Sequence, residues 1–219
     1  HTDHNNGKVL AASINLDAIA IAAKRDDMKI NEKSEGHGLN EVDISTLSPD
    51  EAEYGRSSSM IKGVAAGLKE KGYEIGGFDA CTTSDVMGGS GLSSSAAFEV
   101  LIATVINHLY NDGKIDAVTV AKAAQFSENV YFGKPSGLLD QMASSVGTFV
   151  TIDFKDTANP VIKKVDFDFA KSGYSLCIVD THGNHSDLTD DYAAVRGEME
   201  AVATVSYTHL RAHETRSNL

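Results

Sequence analysis

The spacing of apolar and polar positions changes several times along the chain. Residues 7–35 alternate with a period of two, and a further strand is read through 40–46. "GKVLAASI", "DAIAIAAKR", "MKINEKSE" and "NEVDIST" each read as a strand. "GRSSSMIKGVAAGLKEKG" (55–72) switches to helical spacing: Met60, Ile61, Val64, Ala65 and Leu68 share one face, and Gly72 follows the lysines. "FDACTTSDV" is again a strand. From Ser94 there is no Gly or Pro for 19 residues. Ala96, Val100, Leu101, Ala103, Thr104 and Leu109 then recur mostly at steps of three and four, which predicts a helix over 94–110 stopped by Asn111-Asp112-Gly113. A second helix is predicted over roughly 115–131, and a third over 137–145 after the loop Gly133-Lys134-Pro135. "TFVTIDF" and "VIKKVDF" read as strands, "YSLCIVDT" as a buried strand, and "SDLTDDYAAVRGEMEAVA" as a helix. Interleaved strands and helices give an α/β (α+β) domain.

The tail differs. "VSYTHLRAHETRSNL" (205–219) has little amphipathic pattern and resembles translated adapter sequence, so it is expected to be non-native. The chain opens at His1 rather than Met, in what reads as the middle of a motif, and is expected to be a fragment.

Composition narrows the functional classes. A formal charge of −12 argues against general binding to nucleic acid or anionic membranes, while leaving room for a local positive site. The longest apolar run, "AIAIAA", is far too short to span a bilayer. Cys81 and Cys177 are far apart and outside any CxxC pattern, which suits free thiols in a reducing compartment.

The segment "DVMGGSGLSSSAAFEV" carries the strongest candidate chemistry. Gly88, Gly89 and Gly91 deliver the chain into a helix N-terminus, with Ser93, Ser94 and Ser95 as N-cap candidates. Such an end presents unpaired N–H groups and partial positive charge. Glycines let the backbone curl around an anion, and serines add hydroxyls for phosphate or magnesium. A flexible loop with a serine cap is the competing reading, and the residues alone leave both open. The signatures GxxxxGK[ST] and GxGxxG are both absent. The pairs His1/His4, His182/His185 and His209/His213 lack a cysteine or matched third ligand, so zinc is a weak alternative.

The order small-Gly-x-Gly-Leu-Ser-Ser-Ser-Ala resembles the phosphate loop of the GHMP kinases. Three further segments resemble the galactokinase branch of that family: "HTDHNNGKVLAASI", "SENVYFGKPSGLLDQMAS" and "DDYAAVRGEME". They occur in the right order and together span residues 1–204. Two departures stand out: Met87-Gly88 replaces a common Pro-Leu, and the segment that precedes the first motif in the family is absent.

The resemblance implies a GHMP kinase fold. Residues 1–172 would be a ribosomal-S5-domain-2-like N-terminal domain, and 173–204 the start of a ferredoxin-like C-terminal domain. It implies ATP and Mg²⁺ as cofactors, galactose as substrate, no nucleic-acid or membrane partner, and a cytoplasmic enzyme. Gly89, Ser90, Gly91, Leu92, Ser93, Ser94 and Ser95 would hold the nucleotide, with Ser95 and Glu128 as metal ligands. Asp140 would be the catalytic base; His1, Thr2, Asp3, Gly137 and Tyr192 would bind sugar. On residues alone Glu128 reads as a solvated helix face, Asp140 as a first-turn acid complementing the dipole, and Tyr192 as a core aromatic. Rivals are another GHMP kinase acting on a different small alcohol, and a non-catalytic galactose sensor. The intact Ser93-Ser94-Ser95-Ala96 favours catalysis over a sensor. The fragment alone is expected to be inactive or nearly so.

Overall fold

The computed structural model of the chain describes residues 6–179 and 189–206. Among the described residues, seven strands form two sheets. One is antiparallel, in the order β1 (Lys8–Ala12), β6 (Phe149–Asp153), β7 (Val161–Val165). The other has the order β2 (Ala18–Lys24), β5 (Phe78–Ser84), β3 (Lys29–Ser34), β4 (Leu39–Asp43). Within it β3 and β5 run parallel and the other pairs antiparallel. The helices are α1 (Ser57–Glu70), α2 (Ser94–Tyr110), α3 (Ala117–Phe126), α4 (Leu139–Val146), α5 (Phe169–Ser172) and α6 (Thr189–Ser206). A π-turn, Ser127–Tyr131, continues α3.

Two apolar clusters hold these layers together. The larger packs Ile30, Val42, Phe78 and Ala80 of the four-stranded sheet against α1, α2 and α3. The smaller joins Val150 and Ile152 of β6 and Ala11 of β1 to Met142 of α4 and Ala121 of α3. Helix α3 therefore touches both clusters, and the residues that follow it are fixed from two sides. Met60, Ile61, Val64, Ala65 and Leu68 form the buried face of α1, as their spacing predicts. Helix α2 is buried more widely than its period suggests: Glu99, Ile102, Ile106 and Asn107 are interior, while Leu101 and Thr104 are only half-buried.

Residues 174–179 depart from the predicted buried strand. They form no strand, and Tyr174 and Val179 are 74% and 79% exposed. A strand needs a neighbour for its backbone groups and its apolar face, and none of the seven strands takes this one. Helix α6 reaches Ser206, two residues into the segment expected to be a non-native tail; the rest of that segment lies outside the described residues.

One close approach sets the depth of the π-turn. A Cβ on Gly63 of α1 would lie 2.8 Å from Ser127 Cα and Oγ. The Ser127 hydroxyl donates to the Met60 carbonyl at 2.8 Å. Gly63→Val is therefore expected to destabilise the chain by about 1–3 kcal/mol through overpacking, read as a lower urea midpoint at unchanged slope. An unchanged midpoint would show that α1 and the π-turn can separate freely.

Candidate active site

Strand β5 ends at Ser84, and the chain crosses a nine-residue loop, Asp85–Ser93, into α2. The loop bends at Gly89 (φ 73°) and Gly91 (φ 76°). Ser93 is left-handed too (φ 61°), and its side chain makes no capping hydrogen bond. The sequence makes Ser93 an N-cap candidate; it occupies that position, but its hydroxyl does not satisfy the helix end. The backbone geometry explains this, because a side-chain cap requires an extended Ncap residue. Ser90 Oγ turns back to the Met87 carbonyl at 2.7 Å, which closes a turn within the loop.

The loop forms one wall of a cleft of about 1450 Å³. Single small-molecule sites commonly occupy about 300–1,000 Å³, so two ligands fit side by side. Gly88, Gly89, Gly91, Ser93, Ser94 and Ser95 line it, but Ser90 and Leu92 do not. Glu128 from the π-turn, Lys134 and Gly137 from the following loop, and Asp140 from the first turn of α4 line the same cleft. Helical geometry then separates two neighbours. Asp140 is exposed to the cleft, while Gln141, about 100° further round the helix, is fully buried.

Glu128 is the centre of the arrangement. It is only 2% exposed, not on a solvated face. Its Oε1 accepts from Ser95 Oγ at 2.9 Å and from Lys134 Nζ at 3.1 Å, and its Oε2 accepts from Gln141 Nε2 at 2.7 Å. Three donors, one of them cationic, satisfy the buried carboxyl. Ser95 and Glu128 thus place a hydroxyl and a carboxylate side by side at a helix N-terminus. Oxygen donors of this kind suit a hard divalent cation completed by phosphate oxygens and water. Among the described residues no group of three or more His, Cys, Asp or Glu side chains could hold a metal ion. A cation here would take few protein ligands, the usual situation for magnesium on a phosphate substrate.

A second buried carboxyl, Glu99, lies one helical turn beyond Ser95 in α2 and is fully buried. Burial, reinforced by the charge of Glu128, pushes it well above the usual carboxylate range. Sequence reasoning named neither Glu99, Gln141 nor Lys134 as functional. The available signals were the i, i+4 spacing from Ser95 to Glu99, the position of Gln141 beside Asp140, and a lysine in the loop facing the serine run. Behind the lining residues Ser34, Asn40 and Thr82, Glu32 is buried and accepts from Ser34 Oγ, Thr82 Oγ1 and Asn40 Nδ2 at 2.6, 2.6 and 2.7 Å. His1, Thr2 and Asp3 lie outside the described residues, and Tyr192 falls on α6.

Residues 59–148 match the GHMP kinases N terminal domain. That span runs from α1 through the glycine loop, the π-turn and α4. The chain carries a domain of the GHMP kinase family. It is 33% identical over 207 residues to galactokinase of Streptomyces coelicolor, covering 94% of this chain and 53% of that enzyme. It is 39% identical over 157 residues to galactokinase of Pyrococcus furiosus, covering 72% and 43%. The crystal structure of Lactococcus lactis galactokinase complexed with galactose superposes with a TM-score of 0.71 at 27% identity. That match covers 93% of this chain and 53% of the other. The chain thus spans about half the length of these relatives or less. The expected GHMP kinase fold, with its mixed sheets, is the fold observed. No helix among the described residues is long and apolar enough to cross a membrane.

Proposed function

We propose that these residues form the phosphate-binding and proton-accepting part of an ATP-dependent sugar 1-kinase that acts on galactose. The observation that carries this reading is the convergence of Ser95, Glu128 and Lys134 at the N-terminus of α2, with Asp140 on the same cleft. Similarity to galactokinases, among them an enzyme crystallised with galactose, supports the choice of sugar. Soluble nucleotide and sugar substrates fit a chain of formal charge −12, and the same similarity supports a cytoplasmic enzyme.

The glycine loop, Gly88–Gly91, offers backbone N–H groups to the phosphates, and the helix end adds partial positive charge. Lys134 balances phosphate charge from beside Glu128. Ser95 and Glu128 would hold Mg²⁺, which when bound neutralises charge on the phosphate oxygens. Asp140 accepts the proton of the anomeric hydroxyl. That oxygen bonds to the γ-phosphorus as the bond to the β–γ bridging oxygen breaks, releasing ADP. Little covalent work falls to the protein in such a transfer; positioning and charge stabilisation dominate. His1, Thr2, Asp3, Gly137 and Tyr192 serve the sugar hydroxyls and its apolar face. Residues 1–172 belong to the N-terminal domain in this reading, and 173–204 begin the second.

Calorimetry of the chain with ATP, with and without magnesium, tests the phosphate site. Magnesium-dependent binding is expected, and Glu128→Gln should abolish that dependence while the variant remains folded. ATP binding that ignores both magnesium and the Glu128 substitution would remove the metal assignment. Phosphorus NMR of the chain completed to the length of its relatives should show galactose 1-phosphate. A product formed only from another alcohol would overturn the sugar assignment.

A further inference from the structure

Glu99 has no role in the mechanism above, yet its surroundings are unusual. Both carboxyl oxygens are buried without a hydrogen-bond partner, and so is Gln141 Oε1. Glu99 lies beside Ser127 and Gln141. The Ser127 hydroxyl is already directed to the Met60 carbonyl. The Gln141 amide nitrogen is directed to Glu128 Oε2 at 2.7 Å. The Ser127 hydroxyl and the Gln141 amide lie beside Glu99 and weakly favour its charge, but each is directed to another acceptor, so an ionised Glu99 would have no donor of its own. Unpaired buried polar groups are costly, and three in one cluster call for a common cause. Flipping the Gln141 amide offers no escape, because it would set Gln141 Oε1 against the Glu128 carboxylate.

A single proton resolves the cluster. We propose that Glu99 is a positioning residue: as a neutral carboxylic acid it donates a hydrogen bond to Gln141 Oε1, and so holds the Gln141 amide on Glu128. The two buried carboxyls then divide their roles by environment. Glu128 accepts from three donors, including the Lys134 ammonium. Neither Glu99 oxygen has a hydrogen-bond partner, and Glu99 carries the proton. Glu128 and Lys134 are the charged groups that act on Glu99. Like charges in one buried site do not both ionise. The consequence for function rests on the metal reading given above. Gln141 fixes the carboxylate rotamer that would ligate magnesium, and Glu99 fixes Gln141. Partners one step removed from a metal commonly change its affinity by about 10–100-fold.

Two measurements test this on the chain itself. Infrared spectra at neutral pH, with Glu99→Gln subtracted from the parent, should show a hydrogen-bonded protonated carboxyl stretch that the variant lacks. Only a carboxylate band in that difference would overturn the proton assignment and indicate a water between Glu99 and Gln141. Calorimetry with magnesium-ATP tests the link to the site. Glu99→Gln retains an N–H donor and should bind as the parent does. Glu99→Met fills similar space without a donor and should bind about tenfold more weakly. Equal binding by all three proteins would overturn the positioning role, as would an equal loss in both variants. Absence of magnesium-ATP binding by the parent would fell the phosphate-site reading, and the infrared result would then decide the Glu99–Gln141 bond alone.

Discussion

Asp140→Asn is expected to lower kcat by about 10²–10⁴-fold in the chain completed to the length of its relatives, the usual scale of general-base catalysis. The substitution keeps size and shape and removes the proton acceptor. Asp140 is exposed on the first turn of α4, in the cleft that the glycine loop also lines. In the proposed reading it is the carboxylate that meets the acceptor hydroxyl in this cleft. Sugar binding should persist because asparagine still forms hydrogen bonds, and ATP affinity should change little because the phosphate contacts lie on other residues. A purely structural first-turn acid predicts a different pattern: a stability loss of about 0.3–1 kcal/mol with turnover nearly intact. Steady-state kinetics beside a melting curve separates the two, and near-normal kcat in a slightly less stable protein would sink the base assignment.

Local periodicity revealed most of the elements because the chain obeys it locally. Helix α2 spans Ser94–Tyr110, the range its spacing predicts, since Gly91 before it and Asp112-Gly113 after it both adopt positive φ. Which face is buried was less legible. In β2 the small Ala20 and Ala22 pack on the core, while Ile21 is 80% exposed. Alternation identifies a strand; only the helix packed on it decides which alternate is inside. Residues 174–179 show the opposite limit, an apolar run that pairs with none of the strands among the described residues.

The candidate site divides in the same way. The glycine loop and Asp140 stand out as short contiguous strings. Glu128, Gln141, Glu99 and Lys134 come together through tertiary packing of the π-turn, α2 and α4. No local pattern distinguishes a glutamate on a solvated face from one whose turn is drawn inward against Gly63. Its burial follows from the missing side chain on a neighbouring helix.

Gly91→Val is expected to weaken ATP binding by about 10–100-fold while sugar binding survives. Gly91 has φ 76°, a left-handed conformation that a β-branched residue adopts only under strain. Such strain costs on the order of 1–3 kcal/mol, and about 1.4 kcal/mol corresponds to a tenfold change in affinity. The backbone must either keep its curve and store that strain or rotate its N–H groups away from the phosphate. Ser93, also left-handed, leaves little freedom for the loop to compensate before α2 begins. Gly88 supplies the internal control. Its φ is not positive, and a Cβ there would meet nothing within 4 Å. Gly88→Ala should therefore bind ATP almost as the parent does, although it alters the same glycine run. Calorimetry on both variants separates a requirement for this backbone shape from a general need for flexibility. A loop that merely needs to be flexible would lose affinity by similar amounts at both positions, and that result would refute the phosphate cradle.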